Sequence, residues 1–225
     1  MQKFYVVGTP IGNLEDITYR AVRILGEVDL ILCEDTRVTI NLLNKYGINK
    51  PTMSYHSQSK IAKLDKILEL INEGKTLALV SDAGTPTISD PGSVLISKIR
   101  EVFPDVEIIA IPGPSALVSA LSVSGLPASE FVFLGFLPHK KGRETLFKEI
   151  SVTKRTVAFY ESPHRIMKTL ESLKKYVGER KVVVAREISK IYEQVVSGNA
   201  IEVEKYFLDN KDKIRGEFVV LVSEK

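Results

Sequence analysis

The chain has 225 residues, of which 44% are hydrophobic and 26% are charged, and its formal net charge is +3. This composition is typical of a globular protein with one large or two small domains. No apolar run approaches the ~20 residues that span a bilayer, and the sequence opens on a strand-like run rather than a secretory leader, so we expect a cytoplasmic protein. Neither the single cysteine, Cys33, nor His56, His139 or His164 falls in a metal-ligand spacing, so we expect no metal and no internal disulfide.

The charged residues are unevenly distributed along the chain. Residues 1–125 carry 12 Lys and Arg against 14 Asp and Glu, whereas residues 126–225 carry 19 against 14. Basic surface attracts RNA phosphates, although an excess of this size is also typical of an ordinary solvated surface. The second half is therefore where we expect a nucleic-acid contact, if the protein makes one.

Short β-branched runs alternate with stretches of helical period, a pattern that predicts an α/β fold with mainly parallel strands. In the first half, strands are predicted over 3–8, 29–33, 76–81 and 106–111. Helices are predicted from Asp16 or Thr18 to Gly26, over 37–46 with Gly47 closing, over 61–74, near 92–102, and after a turn within 112–125.

The Gly/Pro/Ser-rich segment 125–130 interrupts the apolar periodicity and predicts a boundary between domains 1–125 and 126–225. In the second half, strands are predicted over 131–136, 155–160, 181–187, 192–198 and 217–223, with helices ending near 150 and covering 164–176 and 200–208. Two α/β domains joined by a short hinge leave a cleft between them, and small-molecule sites are common in such clefts.

Three loops rich in glycine and proline follow predicted strands, over 8–14, 81–92 and 111–116. In an α/β fold, ligands bind at the carboxyl ends of the strands, where these loops are expected. The first loop lacks the G-x-G-x-x-G and G-K-[ST] patterns, which excludes a dinucleotide fingerprint and a nucleotide P-loop. The simpler alternative is that all three loops are only tight connections.

Six ordered segments make the chain similar to the tetrapyrrole methylase superfamily over essentially its whole length. They are VGTPIGNLEDIT (7–18), CEDTR (33–37), SDAGTPTISDPG (81–92), IPGPSA (111–116), LGFLPHKKGRE (134–144) and FYESPHRI (159–166). The resemblance implies two α/β domains with S-adenosylmethionine bound in the cleft between them. Residues 84–86 read Gly-Thr-Pro where the porphyrin and corrin branch usually reads Gly-Asp-Pro, which favours the branch that methylates ribosomal RNA.

That branch implies 2′-O-methylation of a cytidine (cytidine1402) in the decoding region of 16S rRNA, within the small ribosomal subunit, by a homodimer. Residue by residue, the resemblance implies cofactor contacts from the loops of the first half and from three segments of the second half. The first set is Pro10, Gly84, Thr85, Pro86, Ile88, Ser89, Asp90, Ser115 and Ala116. The second set is Tyr160, Ala185, Arg186, Gly216 and Glu217. Much of this recognition is expected to pass through the backbone.

Methyl transfer from a sulfonium to a hydroxyl requires alignment of the two reactants and benefits from a general base. Glu34 and Asp35 follow the second predicted strand and are candidates for this base, and Glu161 and His164 in the second half are the rival candidates. Alternatively, Asp35 caps the next helix while Glu34 pairs with Arg37, and the segment after Glu161 is a helix start.

A basic loop over residues 139–143, after the fifth predicted strand, is the candidate contact for RNA phosphates. Phosphate contacts position a nucleic acid without specifying its sequence. The alternative interpretation of this loop is a solvated helix start. Two arginines beside the candidate bases extend the set, and the candidate RNA contacts are Arg37, His139, Lys140, Lys141, Arg143 and Arg165.

Two other functions are compatible with the sequence. One is a methyltransferase of the same fold that acts on a porphyrinoid or corrinoid ring, which would need a roomy apolar cleft rather than basic surface. The other is a non-catalytic RNA-binding assembly protein, against which the three intact loops argue. The basic second half favours RNA over a porphyrinoid acceptor.

Overall fold

A computed structural model of the chain describes residues 2–56, 61–90 and 92–225. The chain divides into two compact units, Met1–Ser115 and Ala116–Lys225, each built on a five-stranded sheet. The strands and helices of the first unit are β1 (Lys3–Val7), α1 (Tyr19–Glu27), β2 (Leu30–Cys33), α2 (Thr36–Lys45), β3 (Thr52–Ser54), α3 (Ile61–Asn72), β4 (Leu77–Leu79), α4 (Ser93–Val102) and β5 (Glu107–Ile111). Those of the second unit are α5 (Ala116–Ser124), β6 (Phe131–Phe136), α6 (Arg143–Val152), β7 (Thr156–Glu161), α7 (Ile166–Val177), β8 (Val182–Arg186), β9 (Gln194–Gly198), α8 (Ala200–Asp209) and β10 (Phe218–Val222).

The first sheet is entirely parallel, with strand order β3-β2-β4-β1-β5. Successive side chains of β1 enter opposite cores, because side chains alternate between the two faces of a strand. Phe4 packs in the cluster that contains Ile67 and Leu95 of α3 and α4, and Tyr5 packs in the cluster that contains Ile24 of α1. All five strands run in one direction, so their carboxyl ends and the loops that follow lie along one edge of this sheet.

Helix α1 shows how local chemistry sets an element's bounds. Of the two predicted start residues, Thr18 is the N-cap, since its side chain accepts a hydrogen bond from the Ala21 N–H at 3.1 Å. Asp16 instead ends a short 3-10 turn. The helix continues through Gly26 to Glu27. Strand β3 was not predicted, because its three half-buried residues are too few to show a period.

The second unit confirms the α/β class, but the prediction of mainly parallel strands is wrong for its sheet. The order is β6-β7-β10-β8-β9, and of these pairings only β6 with β7 is parallel. Strands β8 and β9 are joined by residues 187–193, a connection too short for the crossover that parallel neighbours require. Strand β10 lies between β7 and β8 and runs antiparallel to both.

Helix α5 belongs to the second unit, so the units divide at Ser115 rather than at residue 125. Its buried face, Leu117, Ala120 and Leu121, packs with Val183 of β8 and Leu221 of β10. The Gly/Pro/Ser-rich segment after it therefore marks the end of a helix inside the second unit. The apolar face of α5, rather than the turn that follows the helix, determines the unit to which α5 belongs.

Two further properties concern the described part of the chain only. Its helices are all too short or too polar to cross a membrane. Among the described residues, no group of three or more His, Cys, Asp or Glu side chains is placed to hold a metal ion.

Candidate functional site

The three glycine- and proline-rich loops meet at the carboxyl edge of the first sheet. Gly8, directly after β1, donates its N–H to the carbonyl of Ile111 at 3.0 Å. Thr9 and Gly84 form an antiparallel bridge, in which the Thr9 N–H donates to Gly84 at 2.9 Å and the Gly84 N–H donates to Thr9 at 3.0 Å. The first loop is thus hydrogen-bonded to the end of β5 and to the second loop.

A close approach between Gly8 and Gly113 brings the first and third loops into backbone contact. A Cβ on Gly113 would lie 2.8 Å from the Gly8 carbonyl oxygen, and a Cβ on Gly8 would lie 2.9 Å from Gly113 Cα. Real Cβ atoms essentially never come so near to backbone atoms. Both positions therefore require glycine for space, whatever their backbone angles.

Hydroxyl groups link the loops further. The buried Thr9 Oγ1 donates to the carbonyl of Ser81 at 3.0 Å, and Ser81 Oγ donates to the carbonyl of Gly84 at 3.2 Å. Thr85 Oγ1 donates to the carbonyl of Pro114 at 3.4 Å. These bonds hold the second loop against the other two.

The second loop has an irregular backbone after Gly84. Thr87 and Ser89 have φ angles of 74° and 66°, the left-handed region that non-glycine residues rarely occupy. Residues 85–90 form neither helix nor strand, so their peptide groups are oriented by the loop itself. Such strained segments cluster at ligand sites, where backbone N–H and C=O groups are turned toward a bound molecule. Pro91 of the predicted loop lies outside the described residues.

Glu34 follows β2 at this edge and has an unusual environment. Burial, and then the charges of Asp90 and Asp82, raise its pKa to about 7. Its Oε1 is buried and has no hydrogen-bond partner among the described residues. The pKa of Asp90 is also raised, chiefly by burial. A carboxylate with a pKa near neutrality can accept a proton and release it at physiological pH, as a general base must.

Asp35 has a different role, and its alternative interpretation as a helix cap is confirmed. Its side chain accepts from the Arg37 N–H at 2.9 Å at the start of α2 and binds the Arg37 guanidinium, with Oδ2 to Nη2 at 2.6 Å. Hydrogen bonds from Arg37 lower the Asp35 pKa to about 2, which makes it a weak base. Arg37 therefore pairs with Asp35 rather than with Glu34, and its side chain remains 88% exposed.

In the second unit, Glu161 ends β7 and is buried. Its Oε1 accepts from the Ser162 N–H at 2.8 Å and lies 3.3 Å from Arg165 Nε, and its Oε2 accepts from Thr169 Oγ1 at 2.6 Å. Arg143 Nη1 lies 4.0 Å from Oε2. Both carboxylate oxygens are engaged inside the protein, so Glu161 does not fit the predicted role of general base, which needs an oxygen that faces substrate.

The prediction that Arg143 and Arg165 contact RNA is wrong, because both guanidinium groups point into the second unit. Arg143 is 9% exposed and donates to Thr169 Oγ1 at 2.7 Å. Arg165 Nη2 donates to the carbonyl of Leu137 at 2.6 Å. The sequence shows a cation but not the direction in which its side chain points. His139, Lys140 and Lys141 are exposed on the loop between, and their role stays a prediction.

Tyr160 and Ala185 lie on the second sheet. Tyr160 is half-buried at the end of β7, and its ring meets Phe133 edge to face at a centroid distance of 5.0 Å. Ala185 is buried in β8 and pairs with Val219. Ala185 therefore presents no exposed side chain, and a contact from it would have to come through its backbone.

The neighbouring ends of β8 and β10 bring Arg186, Gly216 and Glu217 close to one another. Arg186 is buried and donates through Nε to the carbonyl of Arg215 at 2.8 Å. Gly216 has a φ of 87°, and a Cβ there would lie 2.4 Å from Glu187 Oε1. Glu217 Oε2 lies 2.9 Å from Lys190 Nζ, so its carboxylate is paired.

The other predicted cofactor contacts lie on the loops of the first unit, except for Ala116. Pro10 and Pro86 are buried, Ile88 is exposed, Ser115 ends the first unit, and Ala116 begins α5 of the second.

Three residues that position these groups were not predicted. Asp82 Oδ1 accepts from the Asp35 N–H at 3.0 Å and so holds the start of α2. Thr9 and Thr169 are buried, and their hydroxyls donate to the Ser81 carbonyl and to Glu161 Oε2. Of these three, only Thr169 could have been found from the sequence, because it is a polar residue at a core position of the apolar face of α7, between Ile166 and Leu173.

Residues 3–204 match the family of tetrapyrrole (corrin/porphyrin) methylases. The chain is 47% identical to the ribosomal RNA small subunit methyltransferase I of Thermotoga maritima, covering 100% of both chains. It is 43% identical to the protein of the same name from Escherichia coli O157:H7, covering 98% of this chain and 77% of that relative.

Solved structures share its fold at low sequence identity. A cobalt precorrin-4 methyltransferase has a TM-score of 0.70 at 18% identity, covering 98% of this chain and 94% of that one. A diphthine synthase has a TM-score of 0.74 at 14% identity, covering 98% and 89%. At these identities the likeness concerns the fold alone.

Proposed function

The chain belongs to the tetrapyrrole (corrin/porphyrin) methylase family, and we propose that it transfers a methyl group to a ribose 2′-hydroxyl of small-subunit ribosomal RNA. S-adenosylmethionine is the methyl donor of this family. The observation that carries the proposal is the 47% identity, over the full length of both chains, with a ribosomal RNA small subunit methyltransferase I. The finer substrate that we propose is a cytidine of the decoding region.

The residues at the edge of the first sheet fit this donor. When bound, it supplies a methyl group on a positively charged sulfur, and the carboxylates of Glu34, Asp82 and Asp90 favour a cation nearby. The Gly8 and Gly113 contact holds the first and third loops together through their backbones. We propose Pro10, Gly84 through Asp90, and Ser115 as donor contacts from this unit.

From the second unit we propose Ala116, Tyr160, Ala185, Gly216 and Glu217 as further donor contacts. Arg186 joins them through its backbone, because its guanidinium already donates to carbonyls of Arg215 and Tyr192.

We propose Glu34 as the group that takes the proton of the acceptor hydroxyl. Its raised pKa of about 7 and its unpartnered buried oxygen suit this role, and the structure offers a competing use for each of the other two candidates. Asp35 is a helix cap paired with Arg37, and Glu161 is enclosed by Arg143 and Arg165.

For the RNA, we propose that exposed His139, Lys140 and Lys141, with Arg37 on the first unit, meet phosphates. Cations on an exposed loop position the nucleic acid, and the binding they provide weakens as salt rises. A ribosomal substrate would make the protein cytoplasmic. The homodimer expected from the resemblance is checked by analytical ultracentrifugation.

The test is incorporation of labelled methyl groups from S-adenosylmethionine into small ribosomal subunits purified from cells that lack the modification, beside uroporphyrinogen as a competing acceptor. Label in the RNA alone supports the proposal. Label in the porphyrinogen alone favours a tetrapyrrole methylase, and binding of RNA without binding of the donor favours a non-catalytic assembly protein.

A further inference from the structure

Four side chains form a closed polar cluster inside the second unit, beneath the exposed basic loop. We call the set Glu161, Thr169, Arg143 and Arg165 the Glu161 cluster. Glu161 and Thr169 have essentially no exposed surface, and the side chains of Arg143 and Arg165 are 10% and 15% exposed. Burial of charge is unfavourable unless partners compensate it, so a cluster of this kind needs a reason.

The arginines of the cluster hold the chain that leads into the basic loop. Arg165 Nη2 donates to the carbonyls of Leu137 and Pro138 at 2.6 and 3.3 Å, and Arg143 Nη1 donates to the Pro138 carbonyl at 3.3 Å. These two carbonyls immediately precede His139. At the other end, Arg143 itself begins α6, directly after the loop. The cluster thus fixes both ends of residues 138–142.

Glu161 and Thr169 orient the two arginines. Glu161 Oε1 faces Arg165 Nε at 3.3 Å, and the Thr169 hydroxyl donates to Glu161 Oε2 at 2.6 Å while it accepts from Arg143 Nη2 at 2.7 Å. Thr169 lies on the buried face of α7, so the cluster is anchored to a helix of the core. Removing either group would leave a guanidinium without its orienting partner.

We propose that Glu161 and Thr169 are positioning residues, which act through Arg143 and Arg165 to hold the basic loop in the geometry that binds RNA phosphates. The proposal rests on the proposed function for its ligand, the ribosomal RNA. It replaces the sequence-based role of Glu161 as a base with a role in substrate binding. It also accounts for the two arginines whose side chains point into the unit while Lys140 and Lys141 face solvent.

The principal variant is Arg165→Lys, which preserves the charge but removes the fork that reaches the Leu137 carbonyl. The matched control is Arg180→Lys. Arg180 is also partly buried and also donates to backbone carbonyls, those of Ile150 and Ser223, which lie outside the basic loop. A second pair is Thr169→Val, which removes the hydroxyl, and Thr169→Ser, which retains it.

The first measurement, made without RNA, is hydrogen exchange of the Arg143 and Leu146 amides, which donate to the loop carbonyls of Lys140 and Gly142 at 3.2 and 3.0 Å. Arg165→Lys and Thr169→Val should raise exchange there by about tenfold, since a charged hydrogen bond that is lost is worth roughly that factor. Thr169→Ser and Arg180→Lys should leave it unchanged. Unaltered exchange in both Arg165→Lys and Thr169→Val would overturn the proposal.

The second measurement is binding and methylation of small-subunit RNA. Arg165→Lys should raise the KM for RNA about tenfold, with the KM for S-adenosylmethionine unchanged, and should lower the salt slope of RNA binding by about 1 although no charge is lost. In a Lys140→Ala/Lys141→Ala background it should have almost no further effect. Full additivity of the two changes would contradict action through the loop.

The two measurements separate two kinds of failure. Hydrogen exchange uses no RNA, so it tests the hold of the Glu161 cluster on the loop even if the unmodified protein proves unable to bind ribosomal RNA, a result that would refute the proposed function.

Discussion

Replacement of Gly113 by alanine tests whether the first and third loops of the candidate site depend on their close backbone contact. The new Cβ would lie 2.8 Å from the Gly8 carbonyl oxygen, whereas ordinary van der Waals contacts of a Cβ begin at 3.4 Å. The loops must therefore separate by about 0.6 Å, a movement that backbone on both sides resists.

The expected magnitude follows from overpacking. Inserting a methyl group into a packed site typically destabilises a protein by about 1–3 kcal/mol. Gly8 also donates to Ile111 and lies beside the Thr9 and Gly84 bridge, so the displacement reaches all three loops. We expect Gly113→Ala to lower the free energy of unfolding by this amount and to weaken S-adenosylmethionine binding by about tenfold or more.

Urea unfolding and isothermal calorimetry measure the two effects, and Gly26→Ala is the matched control. Gly26 lies within α1, and a Cβ there meets nothing within 4 Å. Alanine in a helix should stabilise by about 0.5–1 kcal/mol and leave donor binding unchanged. Equal stability and equal donor affinity in Gly113→Ala and the unmodified protein would refute the argument from close approach.

Three further outcomes are expected. If Glu34 is the base, kcat should rise with pH through about 7, and Glu34→Gln should remove this rise. Because the Glu34 pKa is raised in the folded state, the free energy of unfolding should fall as pH rises from 4.5 to about 7, and this fall should also vanish in the variant. Lys140→Ala/Lys141→Ala should lower the salt slope of RNA binding by roughly 1.4, whereas Lys205→Ala should leave it unchanged. Asn199→Ala removes the capping box of α8 and should lower the free energy of unfolding by about 1 kcal/mol without changing methyl transfer, as paired denaturation and activity assays would show.

Most of the helices and strands could be predicted, because their apolar residues recur at the period of the element. Helix α7, with Ile166, Leu170 and Leu173 buried, is an example, whereas strand β8 was predictable from the continuous apolar run of a strand that is buried on both faces. Strand direction could not be predicted in the second unit. Pairing of β10 with β7 and β8 joins residues far apart in sequence, and no local pattern reports it.

In the candidate site, interactions between residues close in sequence could be predicted better than contacts between residues far apart in sequence. The role of Asp35 as a cap depends on Arg37 two residues later, so the sequence already offered it as an alternative. The raised pKa of Glu34 depends first on burial and then on Asp90 and Asp82, which belong to the loop after the neighbouring strand β4. The burial of Arg143 depends on Thr169, which lies on another helix.

The measurement that tests the central claim most directly is identification of the methylated nucleoside. Small ribosomal subunits that lack the modification are labelled with S-adenosylmethionine and this protein, and the RNA is digested and analysed by mass spectrometry. The account predicts one labelled product, a 2′-O-methylcytidine from the decoding region. Label on a base, or no label in RNA despite demonstrated donor binding, would contradict it.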